Sequence, residues 1–472
     1  MVFSEPVFLF LFLPLALGCI VTATSIGRGH CATILSFSLL FYYWSSGHFV
    51  WMLIGCVIAN WALARQIERQ RIRIWLLLGL AANLGTLAYF KYSYFATSNW
   101  DALMGSQLSL RFTDVALPIG ISFFSFQGVS YLIDVWRGKA HAEANIFVFG
   151  AYLTFFPQLI AGPIVRYRDV ISEYRAPTPN RAKAAYGARR FAHGLVKKVL
   201  VADTVAPVAD TCFALAADDL TMSAAWIGAV AYAIQIYFDF SGYSDMAIGL
   251  AAICGISLRE NFDRPYASST ITEFWRRWHV SLSSWFRDYL YIPLGGNRTS
   301  SIGVYRNLLL VFAATGFWHG AAWSFLAWGA YHGTFLILER LLVGRDGLAR
   351  AGNLSRVLYA LPVTLLGWVV FRAETLTSAL TYWGAMFVPR VPHVLALPDP
   401  LLRVLTPMTA VVLLTSSLAF ALPREPTMAE WLQAKSSISA EVAQLVYLVI
   451  GLLACGLIVL TSAFSPFLYF RF

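Results

Sequence analysis

The sequence predicts an all-α polytopic membrane protein, and three observations carry that prediction. Of 472 residues, 58% are hydrophobic and 13% are charged, whereas an ordinary soluble domain carries about 25% charge. Apolar runs recur along the whole chain, and Lys and Arg gather in blocks between them, as in cytoplasmic loops. Together these exclude disorder, a coiled coil and an ordinary cytoplasmic enzyme. Length alone would suggest about three soluble domains. The recurring apolar runs predict instead one continuous membrane domain over 1–472, with N-terminal helices over 1–114, a core over 115–345 and C-terminal helices over 346–472.

The elements follow in order. An apolar run extends from Pro6 to about Ala23 with no basic residue before it, which argues against a cleaved signal peptide. Arg28 follows the run, so the N-terminus is expected outside and Arg28 in the cytoplasm. Arg65, Arg69, Arg71 and Arg73 mark a second cytoplasmic turn. The chain between the two marks is long enough for two spans of roughly 17 residues each. Residues 74–90 lead outward to a loop near 94–113, and residues 115–134 lead back to Arg137 and Lys139. Only about 26 residues separate Lys139 from Arg166, too few for two crossings. With Pro157, Gly162 and Pro163 inside, this segment reads as re-entrant, which is tolerated where protein covers the broken backbone.

Residues 166–198 hold nine Lys/Arg and form a cytoplasmic amphipathic stretch. Residues 199–258 hold no Lys or Arg but six Asp, and Asp218 and Asp219 mark an outside turn. Residues 259–306 are basic again, with Trp, Pro and Gly interspersed. Two further cytoplasmic loops are expected at Arg340–Arg356 and Arg424–Glu441, with apolar segments near 357–371, 404–422 and 444–464. The central estimate is about eleven spans, without a simple repeat. The net charge of +10 reflects these loops, so membrane lipid is an expected partner and nucleic acid is not. Cys19, Cys31, Cys56, Cys212, Cys254 and Cys455 lie in or beside apolar runs without a CxxC, and read as small buried hydrophobes.

Polar residues inside apolar sequence carry the functional signal, because ionisable groups in a bilayer are costly. In Tyr237–Asp245, two carboxylates, Asp239 and Asp245, flank Gly242. Gly242 permits a break between half-helices. The carboxylates then either cap the exposed amides of that break or mark a cation path. A second cluster runs from Asn261 to Trp285. If helical, it places Trp275, Trp278, His279 and Leu282 on one face and lets Glu273 pair with Arg277. His279 is then either a buried, hydrogen-bonded histidine or a functional one. The third is Gly316–Trp323, where His319 stands between apolar neighbours in a stretch with basic residues at both ends, Arg306 and Arg340. Thirteen residues at 1.5 Å each place His319 roughly 20 Å from the cytoplasmic edge. A neutral imidazole at that depth serves as a base or nucleophile. For His332, packing behind the site is the better reading. The histidine spacings match no zinc pattern, so no metal is expected. No G-x-S-x-G elbow, Walker loop or Rossmann fingerprint is evident.

The residues Pro118–Ser122, Phe126–Gly128, Phe155–Pro163, Tyr237–Asp245, Asn261-Phe262, Phe274–Trp285 and Phe317–Gly320 together resemble the membrane-bound O-acyltransferase family, in its bacterial alginate O-acetyltransferase branch. The opening Met1–Ser4 and the closing Ser465–Phe467 are similar too, so the resemblance covers nearly the whole chain. It implies many membrane helices around a central funnel and tunnel. It maps the family histidine onto His319 and the second polar site residue onto His279, and shifts Asp239 and Asp245 towards structural support.

The resemblance further implies an acyltransferase of the bacterial inner membrane that binds no cofactor. The acyl group, most simply acetyl, would come from a cytoplasmic thioester such as acetyl-CoA and serve O-acetylation of an exported, alginate-like polysaccharide. A periplasmic SGNH-type acetyltransferase and the polysaccharide synthesis and export machinery are the implied partners. His319 is expected as the base, with a His319 acyl intermediate the less favoured variant. His279 would orient the acceptor or hydrogen-bond the carbonyl. Trp318, Asn261, Arg276, Trp275, Trp278, Gln235, Ser241 and His332 are candidate substrate contacts. Arg259, Arg264, Arg276 and Arg277 either attract donor phosphates or reflect ordinary loop charge. The alternatives are D-alanyl transfer from a carrier protein to teichoic acid, O-acetylation of peptidoglycan or cellulose, and, from another class, a transporter using Asp239 and Asp245.

Overall fold

The computed structural model describes residues 3–113, 115–342, 352–388, 396–421, 438–461 and 467. Every regular element among them is helical. Most of the expected loops at Arg424–Glu441 and Arg340–Arg356, and Met1, Val2, Ser465 and Pro466 of the terminal motifs, lie outside the described residues.

The helices used below are α1 (Leu13–Ile26), α2 (His30–Ser46), α3 (Phe49–Gln70), α4 (Arg73–Leu87), α5 (Ser93–Met104), α6 (Ile121–Trp136), α7 (Ile146–Thr154), α8 (Phe156–Leu159), α9 (Tyr167–Arg175), α10 (Arg181–Val196), α11 (Asp203–Ala214), α12 (Met222–Ile253), α13 (Ile271–Arg277), α14 (Val280–Phe286), α15 (Ser301–His319) and α16 (Trp323–Leu342). Helices at Leu361–Arg372, Leu376–Phe387, Pro407–Ala421 and Ile438–Thr461 follow. Among the described residues, four stretches are long and apolar enough to cross a membrane by length and composition: Phe8–Ile26, Phe49–Gln70, Arg73–Met104 and Val442–Leu460. Their apolar side chains face outward, among them Trp51, Leu103 and Leu453. A soluble surface does not present whole apolar helix faces to water.

The chain forms two compact units: residues 1–191 with 243–260, and residues 192–242 with 261–472. In the first unit, two helices, α2 and α3, lie between the two basic marks where a pair of spans was expected, and of these α3 is long and apolar enough to cross a membrane. The loop expected near 94–113 is helical to Met104 instead. Its polar side chains explain this. Ser93, Thr97 and Asn99 each donate to the carbonyl four residues back, so the helix satisfies them internally. The segment expected to be re-entrant folds as α7 and α8, broken at Phe155 and buried throughout from Phe149 to Val165. The α6–α7 loop is tied down by Glu143, which accepts from the Asn145 N–H, the Tyr167 hydroxyl and the Arg175 guanidinium. Burial pushes the Glu143 carboxyl up, but these donors outweigh it and hold it below the ordinary carboxylate range. Asp245 pairs with Arg190, which also meets Glu260.

Gly242 does not break its helix, because α12 runs without interruption from Met222 to Ile253. The glycine serves a close approach instead: a Cβ there would lie 2.8 Å from the Gly194 carbonyl oxygen. With no break there are no exposed amides to cap. In the second unit, Asp239 instead receives the buried Lys198 ammonium at 2.6 Å, which also reaches Asp203 at 2.8 Å. Of the six cysteines, Cys31, Cys212, Cys254 and Cys455 are buried, but Cys56 is half-buried and Cys19 is exposed on α1, where an outward position costs nothing in an apolar surrounding.

Candidate active site

The second unit holds the site. Its first histidine ends α15. Helices α15 and α16 form an antiparallel hairpin whose backbones approach through glycines. A Cβ at Gly316 would fall on the Phe325 carbonyl, and one at Gly329 on the Phe312 carbonyl. Gly320, which terminates α15, lies against the Phe325 ring, where a Cβ would collide. Gly316 and Gly320 are four apart, so small residues line one face and let the hairpin close tightly. The closure buries His319, only 4% exposed, among Trp318, Trp328 and Phe371, with ring centroids at 4.9, 5.3 and 5.1 Å.

The second histidine is placed differently. The continuous helix expected over Phe274–Trp285 is two short helices, α13 and α14, with His279 between them at φ 45°, ψ 55°. A left-handed conformation is uncommon for a non-glycine residue and needs local compensation. Asn261 supplies it. Its backbone carbonyl accepts the Val280 N–H at 2.9 Å. Its side-chain oxygen accepts the Ser281 N–H at 3.1 Å and the Ser281 hydroxyl at 2.9 Å, and lies 3.2 Å from His279 Nδ1. A backbone N–H only donates, so the atom it meets is the Asn261 oxygen. His279 Nδ1 therefore carries the proton towards that oxygen, and Nε2 holds the lone pair of the neutral ring. The Phe240 and Trp318 rings flank the imidazole at 4.7 and 6.0 Å.

The two histidines meet at one cavity of about 190 Å³. Trp275, Arg276 and Trp278 line it with them. The break in the helix therefore does not separate Trp275, Trp278, His279 and Leu282, all of which reach the cavity wall. The Glu273–Arg277 pair forms at 3.1 Å. Thr272, Ser283 and Thr315 also face the cavity and were not singled out from sequence. Thr315 had a signal, since it sits one helical turn before His319 and so on the same face.

The remaining candidates lie elsewhere. Asn261 stands behind His279, and Trp318 packs between the two histidines without lining the cavity. Gln235 and Ser241 are buried on α12 away from the lining. His332 makes ring contacts with Trp275, Trp328 and Tyr331 at 5.0, 5.2 and 5.1 Å, and no hydrogen bond to described protein atoms. Asp239 and Asp245 are held in ion pairs. Arg259 and Arg264 also lie outside the lining. Among the described residues, no three His, Cys, Asp or Glu are placed to hold a metal ion.

A helical protein with whole apolar helix faces turned outward is a membrane protein, and two imidazoles on one cavity are groups that can hold or accept a proton there. The chain belongs to the membrane-bound O-acyltransferase family, whose sequence model matches residues 72–363 and so spans both histidines and the whole cavity lining. It is similar to a protein of Azotobacter vinelandii named "Probable alginate O-acetylase AlgI", at 46% identity over 82% of this chain and 78% of that one. A protein of the same name from Pseudomonas aeruginosa is 45% identical over 82% of this chain and 75% of its own. The peptidoglycan O-acetyltransferase of Helicobacter pylori is 35% identical over 80% of this chain and 78% of its own. The protein is an O-acyltransferase of this membrane family.

Proposed function

We propose that the protein takes an acetyl group from acetyl-CoA at the cytoplasmic face and delivers it for O-acetylation of an exported, alginate-like polysaccharide. The observation that carries this reading is the shared cavity of His279 and His319. Identity of 46% to a relative named as an alginate O-acetylase supports the choice of acetyl group and polymer.

In this reading neutral His319 accepts the proton of the acceptor hydroxyl as its oxygen attacks the thioester carbonyl carbon. The C–S bond breaks, and the thiolate takes up the proton that His319 received. His279, with its lone pair on Nε2, accepts a hydrogen bond from a second donor of the acceptor, such as a neighbouring hydroxyl, and so orients the reacting one. The tautomer set by Asn261 favours this over donation to the thioester carbonyl, which would need a proton on Nε2. Arg276 faces the donor's phosphates. The acceptor is the polymer or a periplasmic SGNH-type acetyltransferase that passes the group on, alongside the polysaccharide synthesis and export machinery. The chain is one domain of about eleven spans in the inner membrane, with its N-terminus outside and the cavity in a central funnel and tunnel. That arrangement opens the site to both faces, so the acetyl group crosses without its carrier.

Removing a general base typically lowers a rate about 10²–10⁴-fold. His319→Ala is therefore expected to abolish detectable acetylation of surface glycans, measured by mass spectrometry in a deletion strain complemented with each form. Unchanged acetylation at normal protein levels would sink the proposal.

A further inference from the structure

Helix α13 has seven residues, and a helix this short has no stability of its own. Its first amides must also find partners outside the helix. Thr270 serves one, accepting the Glu273 N–H at 3.0 Å. The other two go to Glu339, a carboxylate only 3% exposed on α16. One of its oxygens accepts the Ile271 N–H and the Tyr359 hydroxyl. The other accepts the Thr272 N–H at 2.9 Å and the Thr272 hydroxyl at 2.6 Å. Four donors thus converge on one buried carboxylate.

On α16, Trp328, His332 and Glu339 fall on one face by the helical repeat. The first two pack on the Trp275 ring, with centroids at 5.4 and 5.0 Å. So α16 grips α13 at its start through Glu339 and at its middle through Trp275. The far end of α13 runs directly into Trp278 and the left-handed His279. The other end of the hairpin carries His319.

We infer that Glu339 is a positioning residue, which fixes His279 relative to His319 by anchoring α13 to the helix hairpin that carries the second histidine. The inference rests on the role proposed for His279 in acyl transfer. Glu339 does not itself line the cavity; it reaches the wall through Thr272 and acts on His279 through α13.

The test uses the full chain purified in detergent, with acetyl-CoA as donor and a soluble hydroxyl acceptor. It compares the wild type with Glu339→Ala, Glu339→Gln and Tyr359→Phe. A misplacement of about 1 Å costs up to about 10²-fold in rate. Glu339→Ala is expected to lower kcat about 30-fold while the donor KM stays within about twofold. Glu339→Gln keeps the shape but turns an amide N–H₂ towards donors, so it is expected to fall between Glu339→Ala and the wild type; it carries the measurement if Glu339→Ala fails to accumulate. Tyr359→Phe removes one donor and leaves the acceptor, so it stays near wild type. A second readout is carbethoxylation by diethyl pyrocarbonate, followed at each histidine by peptide mass spectrometry. Faster modification at His279, with His319 and His332 unchanged, is the expected result. A kcat within twofold of wild type in both Glu339 variants overturns the inference, and so does equal acceleration at all three histidines, which is the sign of general loosening. His319→Ala run in parallel separates the two readings. If it remains active, the proposed chemistry fails, while the modification pattern still reports where Glu339 holds His279.

Discussion

The two histidines of one cavity are held by opposite means. His319 stands at the turn of two long helices, fixed by close apolar packing and by glycines that leave no room between backbones. His279 stands between two seven-residue helices, fixed by buried polar anchors: Asn261 behind it and Glu339 at the start of α13. The contrast predicts different weaknesses. A packed hairpin tolerates loss of a small group but not its addition, because protein interiors are close-packed. A polar anchor fails when one partner is removed, because the other partners stay buried and unsatisfied.

The largest effect expected from breaking this contrast is at Asn261. Asn261→Ala takes the acceptor from the Ser281 N–H and from His279 Nδ1 together. Each buried donor left alone costs about 1–3 kcal/mol, and the tautomer of His279 is no longer fixed. Acetyl transfer is expected to fall about 10–100-fold, by analogy with the loss of hydrogen-bonding partners that orient metal-bound histidines. Asn261→Asp keeps the oxygen and should retain far more activity than Asn261→Ala. Equal activities of the two would show that the oxygen is not what holds the ring.

This region also marks where sequence reasoning stopped. His319 was legible, because a histidine flanked by glycine in an apolar run admits few bland explanations. The face shared by Trp275, Trp278, His279 and Leu282 was legible as well, although the helix that suggested it is broken. Periodicity does not report a left-handed residue that is held from eighteen positions away by Asn261. Glu339 escaped for a related reason. It sits where an apolar run gives way to basic residues, and there a carboxylate looks like an ordinary loop charge. Gly242 misled in the opposite sense: a glycine inside an apolar helix suggested a break, but the absence of a Cβ makes room for a neighbouring backbone. Local sequence fixes the helices and their faces, while these errors arise from tertiary contacts.

The hairpin should fail by addition. Gly329→Ala places a methyl group on the Phe312 carbonyl, and overpacking of this kind costs about 1–3 kcal/mol. A clear fall in thermal midpoint is expected, with activity per folded molecule falling less than in Asn261→Ala. Thr315→Ala, a deletion on the same hairpin, removes a hydroxyl that only returns to the Val311 carbonyl at 2.8 Å. Its midpoint should hardly move. If Thr315→Ala proved as damaging to stability as Gly329→Ala, the hairpin would not depend on close packing in the way described.

The smallest effects should separate two neighbouring arginines at the edge of the polar-anchored region. Arg277 is committed: it meets Glu273 at 3.1 Å and the Asp263 carbonyl at 3.2 Å. Arg276 lines the cavity, is exposed, and makes no ion pair with a described residue. A partly exposed pair contributes up to about 1 kcal/mol, so Arg277→Ala should lower stability slightly and leave the donor KM alone. Arg276→Ala should do the reverse, raising the donor KM about threefold to tenfold with stability unchanged, because charge-assisted contacts to phosphate act on binding. The KM effect should shrink as salt is raised, since an exposed cation is screened. A KM that stays constant in Arg276→Ala at low salt would place the donor's phosphates elsewhere, and would leave the two arginines distinguished only by their structural partners.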